Sequence, residues 1–450
     1  MPTHFFAKRA WLGAELGVAE DVLLTVEGDR LSAVEPGASA LDARALPGLT
    51  LPGLVNAHSH AFHRALRARS ETGPGDFWSW RSMMYAVAAR LDPDSYLELA
   101  TAVYGEMLLA GITTVGEFHY LHHDSGGQPY ADPNAMASAL IEAAGRAGIR
   151  MTLIDTCYLQ GGLDGRPLEA VQTRFGDGSG EAWARRVDGL LAVVARTPER
   201  VRTGVAIHSV RAVPQAAMET VATYAARHEL PLHVHLSEQQ RENEDCLVVA
   251  GCTPTELLRR AGALTRHSTC VHATHLLPRD ITLLGLAGVN VCACPTTERD
   301  LGDGVGPFSE LVEAGASLSI GTDSHAVIDP FEEMRGIELN ERLVRHERGI
   351  RDADSLLVAG TSGGARSLGW DDLGSLSVGS LADFVTVDDE SPRLAGAGVE
   401  ATVASIVYAA SAADVVNVVV GGQVIVENGR HTLLGDVPRR LSEAISSVLA

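Results

Sequence analysis

Leu51-Pro52-Gly53-Leu54-Val55-Asn56-Ala57-His58-Ser59-His60 is the stretch on which the fold turns. A short apolar run ends in two histidines spaced two apart. In extended chain that spacing puts both imidazoles on one side. Two imidazoles converging at a strand end make half a site for zinc or a similar divalent ion. Taken alone, the pair could equally be a polar loop. The weight comes from three later segments of the same design.

The first is Leu232-His233-Val234-His235-Leu236-Ser237-Glu238. His235 stands at the end of an apolar run, while His233 is expected behind it as a hydrogen-bonded group of the core. Glu238, three residues on, can reach a water activated at the site and move its proton. The second is Thr269-Cys270-Val271-His272-Ala273-Thr274-His275, where His272 ends the run as a ligand or an acid–base partner and His275 lies further out. The third is Ser317-Leu318-Ser319-Ile320-Gly321-Thr322-Asp323-Ser324-His325, which ends in an aspartate able to complete a metal site. Each has an ordinary alternative: a loop carboxylate for Glu238, a satisfied core histidine for His272, a turn or helix cap for Asp323. Four strand ends carrying His/His, His…Glu, His and Asp in that order outweigh those alternatives together.

Working outward, short β-branched runs alternate with Ala/Leu/Arg/Glu-rich helical stretches. The candidate strands are Leu51–Val55, Thr113–Glu117, Arg150–Thr156, Gly204–His208, Leu232–Leu236, Thr269–His272, Val289–Cys292 and Ser317–Gly321. Eight such strands with polar residues at their ends predict an α/β fold, a (β/α)8 TIM-like barrel. Both chain ends read differently. Asp21–Val26 and Arg30–Val34 flank the turn Glu27-Gly28-Asp29, and Ala382–Val387, Val415–Val420 and Gln423–Val426 are β-rich. Neither end alone supplies a core, so residues 1–50 and 374–450 are expected to form one discontinuous small β-sandwich domain, with residues 51–373 as the barrel.

Composition narrows the class. At 450 residues, 46% hydrophobic and 21% charged, the chain is an ordinary globular one. A net charge of −21 argues against nucleic acid or an anionic membrane as partner. No secretory signal or long apolar run is visible, and six scattered cysteines read as free thiols, so the expectation is a cytoplasmic protein. Cys292-Ala293-Cys294 reads as core rather than a metal pair. Lys8 is the only lysine. That excludes Schiff-base chemistry, a metal pair bridged by a carbamylated lysine, and a P-loop. Gly302-x-Gly304-x-Gly306 is therefore a weak nucleotide signal and reads as a barrel loop.

The order of these segments resembles the amidohydrolase superfamily in its mononuclear deaminase branch, over almost the whole chain, including Gly374-Ser375-Leu376-Ser377-Val378-Gly379-Ser380-Leu381-Ala382-Asp383-Phe384 as the return into the β unit. The resemblance implies one divalent metal ion, zinc in expectation, on His58, His60, His235 and Asp323. It implies Glu238 and His272 as the proton-transfer pair, with Asp323 also serving catalysis. Phe77-Trp78-Ser79-Trp80-Arg81, Glu117–Asp124, Tyr130–Pro133, His208-Ser209-Val210-Arg211 and Cys294-Pro295-Thr296-Thr297-Glu298 look more narrowly like the formimidoylglutamate deiminases of histidine degradation. That likeness implies Arg81, Tyr120, His208 and Arg211 as substrate-binding residues. The physics agrees, because N-formimidoyl-L-glutamate carries two carboxylates that two arginines can grip. His63 stands near the substrate where that family has glutamine, so it joins the binding set as the residue most able to alter substrate choice. His119, His122 and His123 read as loop structure.

The expected partner is thus a small dicarboxylate, hydrolysed to N-formyl-L-glutamate and ammonia by a homodimeric enzyme. Two other readings remain: a deaminase of another small amidine or an aromatic base such as guanine, and a non-catalytic metal-binding scaffold. The first would need neither Arg81 nor Arg211; the second would lack Glu238, His272 and Asp323.

Overall fold

The computed structural model describes residues 2–40, 42–69, 77–197 and 199–450. Four strands open the chain: β1 (Thr3–Trp11), β2 (Val18–Glu27), β3 (Arg30–Glu35) and β4 (Arg44–Pro52). Eight follow at intervals: β5 (Leu54–Ser59), β6 (Ile112–His119), β7 (Arg150–Cys157), β8 (Val201–Ser209), β9 (Leu232–Leu236), β10 (Ser268–His272), β11 (Asn290–Ala293) and β12 (Ser317–Ile320). The chain ends with β13 (Phe384–Val387), β14 (Val415–Val420), β15 (Gln423–Glu427), β16 (Arg430–His431) and the helix Val437–Leu449.

The middle eight strands pair in sequence order, all parallel. The ring closes where Ser59 bridges Asp323: Asp323 N donates to the His58 carbonyl at 3.0 Å and His60 N to the Asp323 carbonyl at 3.3 Å. Strands buried on both faces need helices outside them, and the intervening helices supply that cover. The expected barrel is present. Inside it Ala57, Val271, Cys292 and Cys294 pack together, and all six cysteines are free and buried, so Cys292 and Cys294 are core as expected. Gly321 admits no side chain, because a Cβ there would lie 2.7 Å from the His58 Cβ and 3.0 Å from the Cys294 Sγ.

The two chain ends share one eight-stranded sheet, in the order β16-β15-β14-β13-β4-β1-β2-β3. β4 runs parallel to β1 and antiparallel to β13, which is how the N- and C-terminal segments meet. Phe5 on β1 meets Phe384 on β13 edge-on at 5.1 Å across β4, in a core with Val22, Leu24, Leu31 and Val419. Arg150 on β7 ties this sheet to the barrel. Its Nε donates to Asp383 Oδ2 at 2.8 Å and its Nη2 to Oδ1 at 3.1 Å, and the pair is buried.

One boundary differs from expectation. Leu51–Val55 is not a single strand: Leu51 and Pro52 finish β4, and the barrel strand begins at Leu54. The chain changes sheets at Gly53, whose N–H donates to the Asp383 carbonyl at 2.9 Å and whose Cβ would sit 2.1 Å from Thr113 Oγ1. Both flanking strands are apolar, so nothing in the hydropathy marks the switch. No helix among the described residues is long and apolar enough to cross a membrane.

Candidate active site

Four side chains converge at the barrel mouth. The Nε2 atoms of His58 and His235 are 3.1 Å apart, and Asp323 Oδ1 lies 3.2 Å from His58 Nε2 and 3.3 Å from His60 Nε2. The outer nitrogens of two of these rings are already engaged: His60 Nδ1 donates to the Phe118 carbonyl at 2.9 Å and His235 Nδ1 to the His208 carbonyl at 2.8 Å. That fixes the tautomer and leaves unprotonated Nε2 lone pairs pointing inward. Burial pushes the His58 imidazole down to about 3 and His235 well below its ordinary value, so both are neutral. Burial opposes charge on Asp323, but the neighbouring imidazoles of His58 and His60 outweigh it and hold its pKa well below the ordinary carboxylate value. Facing lone pairs around a buried carboxylate repel one another unless a cation sits between them. The donor set His58, His60, His235 and Asp323 therefore fits a divalent metal ion, and the four ligand atoms lie within 4.8 Å of one another.

The backbone that presents these groups is bent at strand ends. Ser237, His272, Ala273, Asp323 and His325 all have φ between 40° and 69°, a left-handed region that costs a residue other than glycine about 1–3 kcal/mol. Such bends turn a side chain sharply off the end of a strand toward the axis. His272 is held from both sides. Its Nδ1 is 3.4 Å from Glu298 Oε1, and its Nε2 is 3.8 Å from Glu238 Oε1 and 3.9 Å from Asp323 Oδ2. Burial would lower its pKa, but these three carboxylates raise it well above the ordinary value. Burial raises the pKa of Glu238, which favours a carboxyl able to exchange its proton.

A cavity opens over this centre, lined by His60, His235, Glu238, His272 and Asp323. Its remaining wall carries His63, Arg81, Tyr120, His208 and Arg211, so every substrate-binding residue expected from the sequence faces the same space. His63 Nε2 and the Tyr120 hydroxyl are 2.9 Å apart, and Tyr120 is buried. His233 is set back in the core, with Nε2 2.9 Å from the Ser367 carbonyl, as expected.

Three groups were not singled out from the sequence. Glu298 orients His272 and also accepts from Cys294 N at 2.9 Å. Glu117 lies beneath the His-x-His segment, accepting from Ser59 Oγ and Ala61 N, each at 2.7 Å. Burial pushes its pKa up to about 7. Asn56 ties the first strand end to the last: its Nδ2 donates to Thr322 Oγ1 at 2.6 Å and its Oδ1 accepts from Thr322 N at 3.0 Å. Glu117 and Glu298 stood in the sequence only as ends of the segments Glu117–Asp124 and Cys294–Glu298 that carry the narrower resemblance.

His119 is a correction to the loop assignment, for it is the last residue of β6 and is buried with His122 and Asp155. Those three could hold a metal by proximity. Asp155, however, already takes Arg186 bidentately at 2.6 and 2.9 Å and Trp183 Nε1 at 3.0 Å, so the cluster is neutralised by arginine.

A barrel whose metal-fitting centre lies at the carboxyl ends of its strands, built as His-x-His, His, His and Asp, defines a class of hydrolase. The amidohydrolase family profile matches residues 49–425, and the chain belongs to that family. It is 38% identical to the formimidoylglutamate deiminase of Pseudomonas aeruginosa across 95% of each chain, so the narrower resemblance read from the sequence holds. Among solved structures it superposes on an amidohydrolase from Brucella melitensis with a TM-score of 0.92, at 32% identity and over 100% of both chains. It also superposes on an adenosine deaminase from Xanthomonas campestris with bound zinc, with a TM-score of 0.84, at 25% identity and over 99% and 97% of the two chains.

Proposed function

We propose that the protein hydrolyses N-formimidoyl-L-glutamate to N-formyl-L-glutamate and ammonia. The observation that carries this reading is the polarity of the cavity. The carboxylates of Glu238 and Asp323, which flank His272, line it together with the guanidiniums of Arg81 and Arg211. A substrate that carries both a cationic amidine and carboxylates matches that lining, whereas a neutral aromatic base uses neither arginine. The similarity to the Pseudomonas aeruginosa deiminase supports the same choice.

His58, His60, His235 and Asp323 would hold one divalent ion, with zinc the fitting choice for three imidazoles and a carboxylate. When bound, such an ion supplies a Lewis acid and lowers the pKa of a coordinated water. The chain's own groups do the rest. His272 and Asp323 orient the attacking water, and Glu238 takes its proton. Water oxygen adds to the amidine carbon, and Glu238 returns a proton to the terminal nitrogen. As the C–N bond breaks, the adduct's hydroxyl gives its remaining proton to Asp323, ammonia leaves and the formyl group remains. Arg81, Arg211, His208, Tyr120 and His63 bind the rest of the substrate. On this reading the enzyme serves histidine degradation in the cytoplasm as a homodimer.

The test is ammonia release from N-formimidoyl-L-glutamate beside guanine and N-formimidoyl-L-aspartate, with metal analysis of the same sample. The reading expects the glutamate compound to be preferred and about one metal per chain. Preference for guanine would overturn it.

A further inference from the structure

Two tyrosines and a glutamine, none of them given a role above, join the two arginines of the cavity wall. Arg81 and Tyr85 lie one turn apart on the helix Phe77–Ala88, and Arg81 Nε donates to the Tyr85 hydroxyl at 2.6 Å. Tyr158 follows the end of β7, where it is buried with its ring 4.5 Å from that of His208. The Arg211 guanidinium lies beside its hydroxyl, and each acts on the other's charge. Gln172 stands between the phenols: its Nε2 donates to Tyr85 at 3.1 Å and to Tyr158 at 3.3 Å. Its Oε1 accepts from Glu169 N at 3.3 Å, which fixes the amide's orientation. The chain Arg81–Tyr85–Gln172–Tyr158–Arg211 thus spans the wall.

The hydrogen-bond count is one-sided. A phenol oxygen offers two lone pairs and one O–H. Tyr85 receives Arg81 and Gln172, which fill its oxygen, whereas Tyr158 receives Gln172 and keeps one lone pair that the Tyr85 proton can take. One phenol proton can lie between the two oxygens. The other has only donors around it among the described residues and needs an acceptor in the cavity. Arg211 Nη1 is in the same position, buried and without a partner among the described residues. Burial raises the pKa of Tyr158, but Arg211 and Arg81 more than offset it, which strengthens its O–H as a donor. Several donors without an acceptor describe a carboxylate site.

We propose that Tyr158 donates its hydroxyl to a substrate carboxylate beside Arg211, and that Gln172, by holding Tyr158 and Tyr85 together, sets the spacing of the two guanidiniums and so the length of dicarboxylate accepted. This rests on the dicarboxylate reading of the cavity. Tyr158 is then a specificity residue and Gln172 a positioning residue.

The experiment compares wild type, Tyr158→Phe and Gln172→Met on N-formimidoyl-L-glutamate, N-formimidoyl-L-aspartate and N-formimidoylglycine, with melting temperature and metal content as controls. Tyr158→Phe is expected to raise KM for the glutamate compound about 10-fold or more, with the loss on KM rather than kcat. N-formimidoylglycine, with one carboxylate fewer, should lose far less. Gln172→Met should lower the glutamate-over-aspartate ratio of kcat/KM about 5-fold or more. Equal losses on all three substrates, or none, would overturn the proposal and leave these residues with a packing role. If wild type does not turn over N-formimidoyl-L-glutamate, the functional reading fails separately. Calorimetric binding of glutarate then decides the inference: tenfold weaker binding to Tyr158→Phe supports it, and unchanged or undetectable binding to both proteins refutes it.

Discussion

Replacing Glu298 by glutamine isolates the charge behind His272. Glu298 Oε1 accepts from Cys294 N at 2.9 Å, a contact that a glutamine carbonyl can keep, so the turn after β11 stays pinned. What disappears is the negative charge 3.4 Å from His272 Nδ1. A charge-assisted hydrogen bond contributes about 1.5–3 kcal/mol, and 3.4 Å is long for one, so the lower part of that range applies. About 1.5–2 kcal/mol lost from the transition state is roughly 10- to 30-fold in kcat. The assay is steady-state ammonia release from metal-replete enzyme, with melting temperature and metal content measured alongside. Glu298→Gln should lose kcat while keeping both controls. Glu298→Ala should also melt earlier, because Cys294 N is left buried without its acceptor, at a cost of about 1–3 kcal/mol. A kcat within about twofold of wild type in Glu298→Gln would refute the orienting role, since a loss of about 1.5 kcal/mol cannot hide there. A loss that tracks metal content would move the effect from His272 to the ligand set.

Glu238→Gln should keep its metal and lower turnover about 100-fold or more, as expected when a proton carrier is removed; near-normal turnover would remove Glu238 from proton transfer. Arg211→Ala should raise KM for the dicarboxylate by about 10-fold or more, and an unchanged KM would mean that Arg211 grips no carboxylate. Chelation should abolish activity and lower the melting temperature, since free metal at about 100 times its Kd stabilises by about 2.7 kcal/mol; a chelated enzyme of unchanged melting temperature would speak against tight binding. His431 accepts from Leu433 N and Leu434 N through Nδ1 and is therefore neutral in the fold, with burial pushing its pKa down to about 4. The folded chain then binds fewer protons than the unfolded one between about pH 6.5 and pH 4. Its contribution is whole above that window and lost as pH falls through it, up to about 3 kcal/mol. His431→Asn should accordingly show a smaller drop in melting temperature than wild type between about pH 7.5 and pH 5.

The site was largely legible in the sequence because its signals are local. His58 and His60 share a face by the twofold period of a strand, and His235, His272 and Asp323 each end or follow an apolar run. Such patterns survive without tertiary information. Glu117, Asn56 and Glu298 did not stand out, because a buried carboxylate or amide is the same letter as a surface one until its donors are known. Those donors, Ser59, Ala61, Thr322 and Cys294, come from distant positions or from backbone N–H groups that a sequence does not distinguish. The Gly53 boundary was hidden for a related reason. β4 and β5 have the same apolar character, and only contact with Thr113 and the Asp383 carbonyl shows where one sheet ends.

A net charge of −21 and the dicarboxylate proposed for the cavity are compatible because the relevant field is local. The excess acid lies mostly in exposed or paired side chains, which solvent and salt screen within about 10 Å. Arg211 is different: its charge is enclosed by Tyr158, Tyr85 and Glu242 in the cavity wall, where screening is weak. Glu242, whose pKa burial pushes up to about 7, puts little negative charge beside that guanidinium below neutral pH. Arginine also suits the place better than lysine would. Its guanidinium stays charged when buried, whereas a lysine enclosed in the same way would tend to lose its proton. In a chain with one lysine, remote in sequence from every residue of the cavity, the proposed anion recognition falls to the cation that burial neutralises least.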